Sequence, residues 1–220
     1  MASQDAVRIV IVDDHPIVAN GIQQLIDREP DMKVVKSVQD AETAVRTIER
    51  DSPDLVIIDI SLKGTTNGID LIKGLKKRYP GILMLVLSMH DENLYAERAI
   101  RAGARGYIMK NDLTDNIVKA IRTVLSGMLY LSDKITSKLL NDIANENIGD
   151  DEAMIKTLSD REFEVFRHIA AGLKNSDIAQ KMNIRVKTVE AHKLNIKTKL
   201  SLRSGTELIK YAIEWKHKNS

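Results

Sequence analysis

Leu55-Val56-Ile57-Ile58-Asp59 places the tightest constraint on what this chain can fold into: four bulky apolar residues in unbroken succession, closed by a carboxylate. A strand with water on one side alternates apolar and polar residues. A run without a polar member suits a strand covered on both faces, as in a parallel sheet held between two helical layers. Ligands of such sheets bind beyond the carboxyl ends of the strands, where Asp59 stands. A lone Asp at a strand end is an ordinary turn or capping residue, so the reading depends on the other strand ends.

Those ends carry related chemistry. Val7-Arg8-Ile9-Val10-Ile11-Val12 reads as a first strand and runs into Asp13-Asp14. Val34-Val35-Lys36-Ser37-Val38 is a second, weaker strand, Leu83 to Leu87 is the fourth, ending at Ser88, and Gly106-Tyr107-Ile108-Met109-Lys110 is the fifth. Helical spacing fills the intervals. Pro16 suits a helix's first turn, with Ile17, Val18, Ile22, Leu25 and Ile26 recurring behind it. Asp40 to Asp51 turns Ala41, Ala44, Val45 and Ile48 inward; Gly68 to Tyr79, Glu92 to Ala102 with its Gly103 stop, and Leu113 to Ser126 complete the set. Strands alternating with helices predict an α/β fold, a flavodoxin-like, doubly wound five-stranded parallel sheet of order 2-1-3-4-5. The first and third strands are then neighbours at the switch point, and Asp13, Asp14 and Asp59 share one crevice.

Three carboxylates at adjacent strand ends repel one another unless a cation neutralises them, and hard oxygen donors in an open crevice suit Mg²⁺. Lys110 offers a point charge to a phosphate and Ser88 a hydroxyl to a phosphoryl oxygen. A carboxylate nucleophile beside a metal and an ammonium is suited to forming an aspartyl-phosphate.

Composition narrows the class. The 220 residues are 43% hydrophobic and 29% charged, as in a soluble globular protein, and contain no cysteine, which excludes disulfides, thiolate nucleophiles and zinc ribbons. The start, Met1-Ala2-Ser3-Gln4-Asp5, lacks the basic and apolar regions of a signal peptide, and the longest apolar run, Ile82 to Leu87, is too short to span a bilayer. These features lead to the expectation of a cytoplasmic protein that does not enter membranes. The net charge of +2 conceals an asymmetry: residues 156–220 hold 14 Lys/Arg against 7 Asp/Glu, and the remainder 19 against 24. A basic tail on an acidic body points to nucleic acid as partner of the tail alone.

Residues 129–155 read as a linker, with a short helix from Ser132 to Asn145 and then an acidic run, 146–152. Beyond it the pattern is purely helical, at about 160–171, 175–182, 186–200 and 204–217, and Ser159-Asp160-Arg161-Glu162 has the spacing of a capping box. Ile178 to Ile184 ends one helix and Val186-Lys187-Thr188-Val189 opens the next after a short turn, the spacing of a helix-turn-helix. Ile178, Met182, Val189, Ile196 and Leu200 would pack inward, leaving Lys187, Glu190, Lys193, Asn195 and Lys197 exposed. Lysines there would sit on phosphates, and Glu190 could accept from a cytosine amine.

Asp13-Asp14, Asp59, Ser88 and Lys110, with Gly103 to Lys110 as the last strand, resemble the receiver domain of two-component response regulators over residues 7–128. The resemblance implies that Asp59 accepts a phosphoryl group from a sensor histidine kinase. It also implies that Asp14, Asp59 and the backbone carbonyl of Ser61 hold Mg²⁺ with help from Asp13, and that Ser88 and Tyr107 form a switch in which Tyr107 turns inward. Ser61 and His90 fall at positions that affect phosphate lifetime in that family. One departure stands out: Gly68 lies nine residues beyond Asp59 rather than eight, and the usual Met-Pro pair is missing.

Leu158 to Ala179 and Lys187 to Leu200 resemble the LuxR-type DNA-binding domain, here 156–220, so the whole resembles a NarL/FixJ-type response regulator. That implies contacts to double-stranded promoter DNA from Thr188, Lys193, Asn195 and Lys197, with Asn175 at the backbone. It implies a packing role for His192 and a last helix, Ser204 to Trp215, that pairs subunits into a homodimer. RNA polymerase is a further partner consistent with this class. Arg185 stands where the family commonly has a helix-capping Ser; it cannot cap, and a reach to phosphate is the alternative. The expected function is therefore regulation of transcription rather than enzyme catalysis. Two rivals remain. An aspartate-nucleophile phosphohydrolase usually has a second Asp two residues after the nucleophile, where this chain has Ser61; a receiver acting only through proteins would have no use for the helix-turn-helix.

Overall fold

The computed structural model describes residues 6–62, 66–145 and 154–218. Its contacts divide the chain between Asn141 and Asp142 into two compact units.

In the first unit, β1 (Val7–Val12), β2 (Met32–Val38), β3 (Leu55–Asp59), β4 (Leu83–Ser88) and β5 (Gly106–Met109) form one sheet of order β2-β1-β3-β4-β5. Every pairing is parallel. Alternating side chains send Ile9, Ile11, Leu55, Ile57, Leu85, Leu87 and Ile108 into a single apolar cluster with α1 (Pro16–Ile26) and α5 (Leu113–Leu125). The opposite parity, Val10, Val12, Val56, Ile58, Met84 and Val86, is equally buried. This explains the unbroken apolar run Leu55 to Ile58 in β3, since both of its faces are core. The helices α2 (Ala41–Asp51), α3 (Gly68–Arg78) and α4 (Glu92–Ala102) complete the unit.

Local chemistry fixes the helix ends. Asp40 and Asn67 accept from the backbone N–H groups of Thr43 and Asp70, both at 2.8 Å. Gly103 closes α4 at φ +119°, a conformation that other L residues rarely adopt. Ile17 departs from expectation: it is 87% exposed. It lies off the buried stripe made by Ala19, Ile22 and Ile26, beside which Val18 and Leu25 pack partly buried against the same core.

The stretch read as linker begins as part of this unit. Tyr130 accepts from the Tyr107 N–H at 2.9 Å and donates to the Arg105 carbonyl at 3.0 Å, continuing the sheet beyond β5 and covering its edge. The helix α6 (Asp133–Asn145) follows, with Ile135 buried. The acidic run 146–152 lies outside the described residues.

The second unit contains α7 (Asp160–Ala170), α8 (Asn175–Met182), α9 (Val186–Lys199) and α10 (Gly205–Lys218). Both bonds of the expected capping box are present at the start of α7, and Glu162 also accepts from Lys199 Nζ at 2.7 Å. Trp215, the chain's single tryptophan, meets Phe163 and Phe166 edge-on in the core. Ile178, Met182, Val189, Ile196 and Leu200 are all buried, as expected. Asn183 takes the left-handed conformation, φ 52°, that turns the chain from α8 towards α9.

His168, in the last turn of α7, has its imidazolium pKa lowered by burial, and by Arg167 and Lys181, to about 4. The unfolded chain therefore binds a proton below its ordinary value of 6.5 that the folded unit refuses until about pH 4. Stability rises with pH wherever the unfolded state holds more protons, so this unit should lose roughly 2–3 kcal/mol between pH 6.5 and 4 from His168. The full chain's urea midpoint by Trp215 emission reads this unit. His168→Gln should flatten that midpoint's decline with acid relative to wild type.

Candidate functional site

The register of the sheet assembles the acidic site. Val12 pairs with Ile58, so Asp13, just after β1, and Asp59, the last residue of β3, stand side by side at the carboxyl edge of the sheet. Asp59 in turn pairs with Leu87, which puts Ser88 one step beyond it on β4. Lys110 opens a short 3-10 turn after β5 rather than ending the strand. That turn aims its side chain across the strand ends: Nζ donates to Asp13 Oδ2 and to Asp59 Oδ2, each at 2.7 Å. The side chains of Asp13, Asp59 and Lys110 retain 0%, 1% and 5% of their exposure.

Two buried carboxylates thus share one ammonium. Burial, and after it the like charge of Asp13, holds the Asp59 carboxyl above the usual carboxylate range against the opposing pull of Lys110 and the Ser61 N–H. For Lys110, burial acts to lower the pKa, but hydrogen bonds to Asp13 and Asp59 outweigh it and leave the ammonium more firmly protonated than a free lysine. Counted as two carboxylates against one ammonium, the bridge is one positive charge short.

Asp14 is also drawn in, with its side chain 5% exposed. The neighbouring His15, which the sequence did not single out, places Nδ1 2.9 Å from Asp14 Oδ1 and 3.3 Å from Asp13 Oδ1. Asp13, Asp14, His15 and Asp59 offer ligand atoms that all lie within 4.8 Å of one another. Three carboxylates within reach of a shared point fit a hard divalent cation. Ser61 donates its N–H to Asp59 Oδ1 at 3.0 Å, fixing one oxygen of that carboxylate. Gly68 is needed close by: a Cβ there would run into the Asp59 carbonyl oxygen and Ile60 Cα. The longer loop still returns to the site, with Gly68 N–H donating to the Ile60 carbonyl at 3.0 Å. Residues 63–65 of that loop lie outside the described residues.

Ser88, Tyr107 and Ser61 meet through His90. The His90 N–H donates to Ser88 Oγ at 2.9 Å, and its Nε2 lies 3.0 Å from Ser61 Oγ. Its carbonyl accepts from the Tyr107 hydroxyl at 2.9 Å. The ring of Tyr107, expected to turn inward on switching, is already inward in this structure at 2% exposure. Burial raises its phenol pKa, so the hydroxyl remains a donor.

The candidate nucleic-acid surface on α8 and α9 is partly as expected. Arg185, Lys187, Thr188, Glu190 and Asn195 are exposed. Lys193 and Lys197 are only half-exposed, against expectation, and Lys193 donates to Asn175 Oδ1 at 3.0 Å. The reason is helical geometry: Lys193 lies one turn from buried Val189 and three residues from buried Ile196. Arg185 makes no side-chain cap bond at the start of α9, consistent with its chemistry. His192 is half-buried, and burial is the first cause lowering its pKa, as a packing role would have it.

Comparison with known proteins joins the two units. Residues 9–122 match the response regulator receiver domain, and residues 156–212 match the bacterial regulatory proteins of the luxR family. The oxygen regulatory protein NreC of Staphylococcus haemolyticus is 38% identical over 95% of this chain and 98% of its own length. The RcsB regulator of Salmonella enterica serovar Typhimurium, solved bound to promoter rprA in the presence of phosphomimetic BeF3−, is 27% identical. It aligns over 94% of this chain and 98% of its own with a TM-score of 0.63. A LuxR-family two-component response regulator from Aurantimonas is 33% identical over 64% of this chain and all of its own, with a TM-score of 0.59. Among the described residues no helix is long and apolar enough to cross a membrane.

Removing the shared ammonium should expose what it offsets. Lys110→Met is expected to destabilise the first unit by about 3 kcal/mol, because it leaves buried carboxylates unpaired. Adding Asp59→Asn should recover part of that loss. Backbone circular dichroism in urea follows both units, and Trp215 emission identifies the transition of the second, leaving the remainder to the first.

Proposed function

This chain belongs to the two-component response regulators that join a receiver domain to a LuxR-type DNA-binding domain. From that premise we propose that Asp59 takes a phosphoryl group from a sensor histidine kinase and thereby controls how the second unit engages promoter DNA. The observation that carries the proposal is the buried bridge of Lys110 between Asp13 and Asp59. It holds an oxygen nucleophile and a like-charged neighbour each within one hydrogen-bond length of a shared cation.

In the proposed step Asp59 Oδ2 attacks phosphorus in line with the phosphohistidine nitrogen. The O–P bond forms as the N–P bond breaks, and the histidine ring keeps the electron pair. Lys110, released from Asp59, follows the new charge onto a phosphoryl oxygen. Ser88 gives up the His90 N–H and donates its own hydroxyl to the phosphoryl group, and the buried Tyr107 loses its fixed partner as the His90 segment moves. Receiver domains bind Mg²⁺ at an acidic pocket; here Asp13, Asp14, Asp59 and the carbonyl of Ser61 would hold it. When bound, Mg²⁺ would supply the positive charge that the cluster lacks.

The protein is a DNA-binding transcription regulator by family. We propose that the receiver spans 7–128, that phosphorylation biases it between two states, and that two chains pair to place two α9 helices on adjacent half-sites. Asn175, Arg185, Lys187, Thr188, Glu190, Lys193, Asn195 and Lys197 would form or frame the DNA surface. A cytoplasmic location and contact with RNA polymerase accompany this reading, and no catalytic turnover of a substrate is part of it. Ser61, where an aspartate-nucleophile phosphohydrolase usually has its second Asp, favours storage of the phosphoryl group over its rapid release to water.

Treating the full chain with acetyl phosphate and Mg²⁺ should tighten its binding to a promoter fragment at least several-fold, and Asp59→Asn should remove that response. Equal binding in every condition would sever DNA binding from Asp59. Independently, Arg185→Ala should reduce the slope of log affinity against log salt by about one if Arg185 neutralises a phosphate. An unchanged slope would remove Arg185 from the interface.

A further inference from the structure

We infer that α9 reads thymine C5-methyl groups through an apolar crown, Leu194 with Ala191 beside it. The inference rests on the reading of α9 as the helix that enters the major groove. At 3.6 residues per turn, the buried Val189 and Ile196 define the inward side of α9. Lys187, Ala191, Leu194 and Thr198, spaced by four, three and four residues, then line the outermost ridge, and all four are exposed. Leu194 keeps 59% of its surface in water. The Thr198 hydroxyl donates to the Leu194 carbonyl at 3.1 Å, so it is satisfied by its own helix. Beyond Lys187, the ridge offers bases no charged side chain.

The charges stand to the sides. Lys193 is held back on Asn175, and Lys197 is likewise half-buried. Glu190 and Asn195 flank the ridge, and Arg185 and Lys187 mark its start. An apolar centre with Arg185 and Lys187 at its start and Lys193 and Lys197 along one side suits a polyanion with an apolar group at its middle rather than an apolar protein face. Of the other exposed aliphatics in this unit, Val186 opens α9 about 100° off this ridge, one residue before Lys187, and Ile209 and Ile213 are on α10. In the major groove the thymine methyl is the apolar group that base pairs present, and aliphatic side chains are its partners. The chain therefore discriminates T·A from C·G at the ridge's centre by methyl burial, while the flanking charges fix register on the phosphates.

The test uses the full chain with acetyl phosphate and Mg²⁺. Its preferred duplex is enriched from a random library, and each thymine is then replaced by deoxyuridine, which removes the methyl and keeps every hydrogen-bonding group. At one or more positions in each half-site, wild type should lose about fourfold in affinity per methyl. Leu194→Ala should weaken binding to the thymine duplex, leave the deoxyuridine duplex little changed, and preserve the salt slope. Leu194→Met should retain the wild-type sensitivity. Unchanged helicity and Trp215 emission establish that the variants fold. Neutral substitution at every thymine, or an equal loss from Leu194→Ala on both duplexes, overturns the inference and leaves DNA binding intact. Enrichment of no sequence at all would remove the DNA-binding reading itself, and this inference with it.

Discussion

Asp13, Asp59 and Lys110 are taken almost completely out of water, and the first unit depends on how that cost is met. Desolvating an ion costs several kcal/mol, and a buried pair recovers this only with good geometry and further hydrogen bonds. Here the geometry is good, two contacts of 2.7 Å, but the count is uneven, with two carboxylates and one ammonium. A well-packed apolar trio would be cheaper. The unevenness makes sense as a device: a site short of positive charge attracts a cation, and burial that disfavours the charge of Asp59 adds to that demand. The parallel sheet is what permits this, because it delivers three strand ends to one line.

The hydrogen bonds around His90 show how an event at Asp59 would travel. Its backbone and ring reach Ser88, Ser61 and Tyr107, so the segment after β4 touches both the acidic site and the buried phenol. Tyr107 in turn donates its backbone N–H to the carbonyl of Tyr130, at the start of the stretch leading out of the unit. Movement of the His90 segment would disturb a continuous series of bonds from Asp59 to the sheet edge, without any element unfolding.

Much of this was legible in the sequence, and the gaps have physical causes. The unbroken apolar run of β3 announced burial on both faces, and the strand order followed from connection rules. The partners of Asp59 followed from strand ends alone. His15 went unnoticed because a His before Pro reads as a helix entry, and its approach to Asp14 depends on a loop conformation. Lys193 was placed outside because of its charge, although Val189 and Ile196 already marked its side as half-buried. Charge drew attention to the lysines of α9, whereas helical periodicity marks Ala191 and Leu194 as outward-facing too. The covered edge of β5 was invisible, because Tyr130 pairs through its backbone and leaves no pattern in the side chains.

The most direct test of the central claim is mass spectrometry of the intact chain after incubation with acetyl phosphate and Mg²⁺, followed by peptide mapping. A single phosphoryl group per chain, labile to hydroxylamine, located on the peptide that contains Asp59 and missing from Asp59→Asn, is the predicted result. No incorporation, or incorporation that survives Asp59→Asn, would contradict the role of Asp59 and leave the buried triad a structural feature only.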